Sequence, residues 1–360
     1  MGAAGLALIR MATPRSRLIP HSDFNPVPSP PVEQRFTDAA RCHGGVWPHE
    51  ILLLDHAQGR STNNQDLGDF WQNAYGVSDP GAVLTSLAER DFIRASTIGE
   101  TIDREATIPT LKEELAKHSL PLSGKKSDLI GRLIGNVPGD ELASIFSNRR
   151  WILTDAGREA IDAEPQVFYA DSPGVVGMDI WSLSELVHQS PGSWRDAIWG
   201  YLNKYQTEHP DDPVAERAVR LDEANVLMFE ERWQDALQMA TLVLLSDING
   251  RRNDWTLEGM ARLAGNIAPY FASRLEVGYG VGIILLNVRY ALDISDGQLR
   301  EMLMKPIQRF SSMCRVFTPD ECADIAILAL NFEPDDITRL DQMYETARGR
   351  LRQQYPNVAW

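Results

Sequence analysis

Two stretches of the sequence hold side chains able to do chemistry. One is the turn Ser123-Gly124-Lys125-Lys126-Ser127, where two adjacent ammonium groups stand at what the spacing marks as a helix start. Backbone N–H groups and the helix dipole favour an anion there, a phosphate above all. The other is the run from Cys42 to His56, which gathers Cys42, His43, His49, Glu50, Asp55 and His56, all side chains that can bind zinc. His49 and His56 stand seven apart on one helical face, whereas a zinc hydrolase uses His-Glu-x-x-His, with its histidines one turn apart. Gly44-Gly45 lacks the preceding strand and the following Gly-Lys-Ser of a phosphate loop, and Gly124-Lys125-Lys126 lacks the upstream glycine. No Ser-His-Asp order, nucleophile elbow or acidic metal pair appears with a supporting pattern. The expectation is a chain with no catalytic residues, no metal and no cofactor, hence not an enzyme.

The basic turn needs two elements to position it. Ile108, Leu111 and Leu115 recur at intervals of three and four, the apolar stripe of a short helix that Thr107 or Thr110 would cap. Leu120 and Leu122 are expected to point inward, and Ser127 to cap a second helix whose Leu129, Ile130 and Leu133 face the first. Residues 107–135 carry Lys112, Lys117, Lys125, Lys126 and Arg132 against Glu113, Glu114 and Asp128, a net of +2, while the rest of the chain carries −17. A basic island on an acidic chain points to a few phosphate contacts, salt-sensitive and largely blind to base sequence. Arg149 and Arg150, beside Trp151, extend the candidate footprint. The candidate nucleic-acid-binding residues are therefore Lys112, Lys117, Gly124, Lys125, Lys126, Ser127, Arg132, Arg149 and Arg150.

The leucine spacing, the Ser-Gly-Lys-Lys and the closing Leu-Ile-x-Arg-Leu of residues 107–136 together resemble the SAP domain, a helix-extension-helix module. That resemblance implies DNA binding with little base specificity and maps the family's basic positions onto Lys125, Lys126 and Arg132. His118-Ser119 stands where the family usually has a glycine ending the first helix, which implies a looser helix end here. Around the module, Asp91-Phe-Ile-Arg-Ala-Ser96 reads as extended, and Arg150-Trp-Ile-Leu-Thr-Asp-Ala-Gly157 reads as a strand stepping into a helix. This Leu-Thr-x-x-Gly step resembles one found in winged-helix units, which implies that the module is inserted within such a unit.

The rest of the chain sets limits. At 360 residues and 43% hydrophobic it can bury two or three domain cores, and its formal net charge of −15 opposes general attraction to nucleic acid or an anionic membrane. Three scattered cysteines argue against a disulfide framework and for a reducing compartment. The apolar run near the N-terminus is too short for a signal segment, and no stretch is apolar enough to span a bilayer. From Met178 onward apolar residues recur at helical spacing, with helices expected over 180–189, 193–207, 213–230, 232–247, 255–274, 278–292, 297–313, 318–331 and 335–354. The pair over 213–247 resembles one tetratricopeptide hairpin, with Ala224 and Ala236 at its crossing. Residues 136–360 carry 21 basic and 34 acidic side chains, a balance that suits a protein partner better than DNA.

The expected fold class is mainly α: a leader over 1–45, a winged-helix-like unit over 46–165 holding the inserted SAP module at 107–136, and an all-helical domain over 178–360. The expected function is a non-enzymatic DNA-binding adaptor, with RNA left open, whose acidic helical domain contacts an unidentified protein. The alternative is a helical scaffold in which the module only packs. The expected location is intracellular, cytoplasmic or with the nucleoid or nucleus.

Overall fold

A computed structural model of the chain describes residues 29–37, 39–63, 67, 69–251, 255–266, 276–331 and 333–358. The N-terminal apolar run and most of the expected leader lie outside the described residues. The described residues form two compact units: one runs to Ser172 and adds Met178–Trp194, the other joins Pro173–Gly177 to the residues from Arg195 onward. The structure is mainly helical, with one two-stranded sheet among the described residues.

The first unit is centred on α1 (Pro48–Ala57), which buries both its apolar residues and His49 and Glu50, as a helix apolar nearly all round must. The described part of the expected leader packs rather than trails. Val32 and Cys42 are buried, and Val32 N–H donates to the Gly76 carbonyl at 3.2 Å. Gly76, at φ 75, ends α2 (Phe70–Tyr75), and a Cβ there would lie 2.0 Å from the Pro30 carbonyl oxygen. α3 (Pro80–Glu89) starts as its sequence predicts, with proline at its first position and the Asp79 carboxylate accepting from Ala82 N–H at 2.8 Å.

The chain then enters β1 (Ile93–Ala95), which pairs antiparallel with β2 (Trp151–Leu153), Ile93 opposite Leu153 and Ala95 opposite Trp151. Segment 59–62 adds a bridge between Ser61 and Arg150, with Trp151 N–H donating to the Arg60 carbonyl at 2.9 Å. β2 leads straight into α8 (Asp155–Ala163), reached after four inserted helices described below. The Leu-Thr-x-x-Gly step has a packing cause. Thr154 Oγ1 accepts from Gly157 N–H at 3.1 Å and donates to the Asp91 carbonyl, while Gly157 lies so close to β1 that a Cβ would stand 2.0 Å from the Phe92 carbonyl oxygen. α9 (Pro165–Asp171), which the apolar pattern did not predict, and α10 (Ile180–Gln189) complete the unit.

Between the strands the chain leaves the sheet at Ser96 and returns at Arg150. In that interval lie α4 (Ile98–Glu105), α5 (Ile108–Lys117), α6 (Lys126–Asn136) and α7 (Gly139–Ile145). They share a core of their own, with Ile102, Leu111, Leu115, Leu129, Leu133, Leu142 and Phe146 buried together. The module is thus inserted, as the flanking strands imply, but its folding unit is four helices rather than the two the leucine spacing defines.

The second unit is all-helical among its described residues: α11 (Trp194–Glu208), α12 (Pro213–Phe229), α13 (Trp233–Ile248), α14 (Leu257–Asn266), α15 (Tyr279–Ala291), α16 (Asp296–Arg309), α17 (Pro319–Asn331) and α18 (Pro334–Gln354). Each falls on an expected helix within a few residues. The 255–274 expectation is met as far as Asn266, and its remainder lies outside the described residues. Ala224 and Ala236 are fully buried in the α12–α13 hairpin, whose small side chains allow its helices to approach closely. Trp199, Tyr201 and Tyr205 of α11 are half-buried.

Buried polar groups also tie this unit together. Asn249, fully buried, accepts through Oδ1 from the N–H groups of Arg315, Val316 and Phe317 at 2.9–3.2 Å. Arg217 forks onto buried Asp247 at 2.5 and 2.8 Å, and Gly278 leaves room for the pair, since a Cβ there would lie 2.6 Å from Asp247 Oδ2. Asp222 accepts from Val176 N–H at 2.7 Å, and Tyr201 Oη donates to the Val176 carbonyl at 2.9 Å. Burial pushes the Asp222 carboxyl up to about 7 against that N–H, and the Glu223 charge adds to the push.

Two outcomes follow for stability. Gly157→Ala should cost about 2–3 kcal/mol, because backbone rather than a movable side chain meets the added methyl. A denaturant midpoint unchanged by the substitution contradicts that packing. Asp222 holds in the folded state a proton that the unfolded chain releases near 4. Its contribution is therefore full below about pH 4 and lost as pH rises through about 7, on the order of 4 kcal/mol. Melting curves at pH 4–8 should show Asp222→Asn flattening that decline.

Candidate nucleic-acid interface

The SAP-like segment is built on two amphipathic helices. Thr107 caps α5, its Oγ1 accepting from Thr110 N–H at 3.4 Å, and α5 buries Leu111 and Leu115 against Leu129, Ile130 and Leu133 of α6. Ile108 and Leu122, read as inward from spacing, are both 43% exposed, while Leu120 packs on the shared core. Ile108 opens α5, ahead of the turn that faces α6, and Leu122 lies in the extended link, so neither has a facing layer to enter.

The end of α5 is tight, contrary to the looser turn implied by its missing glycine. Ser119 takes the left-handed conformation at φ 56; its N–H donates to the Ala116 carbonyl at 3.0 Å and Leu120 N–H to the Leu115 carbonyl at 2.9 Å. That pair of bonds is the Schellman arrangement, which brings Leu120 back over Leu115. Serine pays the left-handed penalty that glycine escapes.

The start of α6 also differs from expectation. Lys125 is the N-cap and Ser127 lies inside the helix, because Asp128 reaches back to accept Lys125 N–H at 3.2 Å. Gly124, at φ 126, makes room for this: a Cβ there would sit 3.0 Å from Asp128 Cβ. A carboxylate therefore already occupies part of the positive helix end, where the sequence suggests free amides, leaving the first amides of α6, those of Lys126 and Ser127, beyond its reach.

The candidate cations divide into two sets. Lys126 Nζ bonds the Asp103 carbonyl at the end of α4 and pairs with its carboxylate at 3.4 Å. Arg132 Nη1 donates to the carbonyls of Pro121 and Ser123, the latter at 3.0 Å, and so braces the extended link. Lys117 pairs with Glu114 at 2.6 Å and Glu113 at 3.7 Å. Arg149 Nε donates to the Ser96 carbonyl at 2.7 Å, and Arg150 Nη1 to the Gly59 carbonyl at 2.7 Å, which makes both part of the strand junction. Lys112 and Lys125 are exposed, and their Nζ atoms have no ion pair among the described residues. The sequence reading did not mark Asp103, which anchors Lys126, or Arg104 beside it, because it drew no helix over α4.

The histidine-rich run does not converge. His49 is buried, its ring stacked on Trp181 at 5.3 Å, and burial with the nearby Arg90 charge pushes it down to about 3. Cys42 Sγ lies 3.4 Å from Ser184 Oγ, and burial pushes the thiol up to about 12, far from a reactive thiolate. Glu50 accepts from Trp47 N–H at 2.8 Å and pairs with Arg90, while His56 sets its ring edge against Trp71. Among the described residues no group of three such side chains is placed to hold a metal ion.

Two short helices joined by a braced, basic, extended link define a helix-extension-helix module. The family model of the SAP domain matches residues 107–137, so the chain carries a SAP domain in that segment. A SAP domain points to nucleic acid as its partner class. No curated protein matches the chain, and no solved structure does. No helix of the described residues is long and apolar enough to cross a membrane.

The Ser119 geometry is testable. Ser119→Gly should stabilise the domain by about 1 kcal/mol by removing the left-handed penalty, raising the denaturant midpoint. A lowered midpoint contradicts the Schellman end.

Proposed function

We propose that the chain is a non-enzymatic DNA-binding adaptor. In this reading the SAP domain holds a duplex by its phosphates, and the acidic helical unit engages a protein partner. The observation that carries the reading is the division of cations within the one basic island. Lys126 ties the start of α6 to α4 and Arg132 braces the link, while Lys112 and Lys125, one on each side of it, remain uncommitted and exposed. Lys112 and Lys125 are the direct phosphate contacts, Lys126 and Arg132 hold their geometry, and the Lys126 and Ser127 amides add dipolar attraction.

The surrounding unit supports this assignment. The order α1, α2, α3, β1, β2, α8 is winged-helix-like, with the insert standing where the two strands would otherwise join. α3 offers no cation to a phosphate, since Arg90 at its end is spent on Glu50. DNA contact therefore falls to the insert. Residues 136–360, with 34 acidic against 21 basic side chains, are left for protein.

A second reading, a helical scaffold in which the SAP domain only packs, is favoured by one observation: five of the seven candidate cations are bonded within the chain.

Duplex binding by the intact protein separates the two. Two to four phosphate contacts give a log–log salt slope of about −2 to −4, so affinity should fall about ten- to hundredfold between 50 and 200 mM salt. Lys112→Glu with Lys125→Glu should abolish binding while leaving the melting midpoint in place. Absence of duplex binding at 50 mM salt overturns the adaptor reading in favour of the scaffold.

A further inference from the structure

At the root of the insert, between α4 and the returning chain before β2, lies a cavity of about 110 Å³. A single ordered water needs about 10–15 Å³, so the space is ample for a larger guest. Ser96, Thr101, Arg104, Asn148 and Arg150 line it, together with Glu100 and Glu105. We propose that this cavity binds a phosphate group.

The charge and hydrogen-bond accounting points to an oxyanion. The guanidinium of Arg150 donates once, from Nη1 to the Gly59 carbonyl, while its Nε is buried with no partner. A buried donor of that kind is costly unless a water or an ion completes it. Arg104 has no ion pair among the described residues and stands close to the same glycine, since a Cβ on Gly59 would lie 3.7 Å from its Nη2. Asn148 adds an amide, and the Ser96 and Thr101 hydroxyls, 2.7 Å apart, add polar walls. Glu100 does not cancel these cations, because both of its oxygens are held by Arg94 at 2.7 and 2.8 Å and one also accepts from Thr97 N–H. That leaves two guanidinium groups facing one uncommitted carboxylate, Glu105. A tetrahedral oxyanion accepts from several donors at once and matches the guanidinium fork.

Two sources share this chemistry: a free phosphate, or a phosphodiester of a bound duplex. The second rests on the DNA reading above and is placed to use it, because Arg104 follows Asp103, the residue that anchors Lys126 of the SAP domain.

The experiment compares the intact protein with Arg104→Gln, a residue that makes no hydrogen bond to the fold among those described, and with Asn148→Asp, which adds repulsion. Melting midpoints are recorded in inorganic phosphate and in chloride at equal ionic strength, and duplex salt slopes are recorded in parallel. Phosphate should raise the wild-type midpoint and raise neither variant's. If the duplex is the source, Arg104→Gln should also make the salt slope shallower by about 0.9, the loss of one contact. Phosphate protection with an unchanged slope supports the site and assigns it to free phosphate. Equal midpoints in the two buffers with an unchanged slope overturn the proposal. If the wild type binds no duplex, the DNA reading fails alone, and the phosphate midpoints still decide the cavity.

Discussion

Ser96 and Arg150 meet where the insert leaves and rejoins the sheet, and what the SAP domain presents depends on that junction. Ser96 N–H donates to the Arg150 carbonyl at 2.7 Å, Arg150 N–H donates to Ser96 Oγ at 3.0 Å, and Arg149 Nε donates to the Ser96 carbonyl at 2.7 Å. Two strands of three residues cannot by themselves offset the entropy of closing a 55-residue loop, about 3–4 kcal/mol for a flexible chain. The insert's own core changes that balance, because a folded body with adjacent ends closes a far shorter effective loop. Gly157 adds the second support by letting α8 rest directly on the backbone of β1.

Much of this was legible in the sequence because it depends on local periodicity and local caps. The stripe of Leu111, Leu115, Leu129 and Leu133 gives the two SAP helices and their shared core, and the Leu-Thr-x-x-Gly step gives the passage from β2 into α8. The helical spacing after Met178 gives each helix of the second unit within a few residues. What stayed hidden depends on partners distant in the chain or on competition for one group. Nothing local shows that Asp103 takes Lys126, that Ser96 takes Arg149, or that Pro121 and Ser123 take Arg132. Ser127 looks like a cap by type, yet Asp128 reaches the Lys125 amide first and starts the helix earlier. The packing of Val32 was hidden by the prolines and serine that precede it.

The electrostatic plan follows the same logic of commitment. An acidic chain has carboxylates to spare, so many of its described arginines are drawn into pairs: Arg217 with Asp247, Arg350 with Glu321, Arg94 with Glu100. The exposed pair of Arg94 with Glu100 contributes little to stability and Arg217 with buried Asp247 holds its unit together, but each removes a cation from the inventory available to an anionic ligand. A count of basic residues therefore overstates what a phosphate would meet. In the SAP domain the count is five, and two of these, Lys112 and Lys125, are exposed with no ion pair among the described residues.

The antiparallel pairing of β1 with β2 also bears on how separable the parts are. Because Ser96 and Arg150 are hydrogen-bonded neighbours, the chain departs and returns at a single point, as it would in a hairpin joined by a short turn. The sheet is complete without anything between those residues, and the four inserted helices are complete without the sheet. The insert is in that sense a cassette: a self-contained body mounted at one hinge of a host that is already closed beneath it.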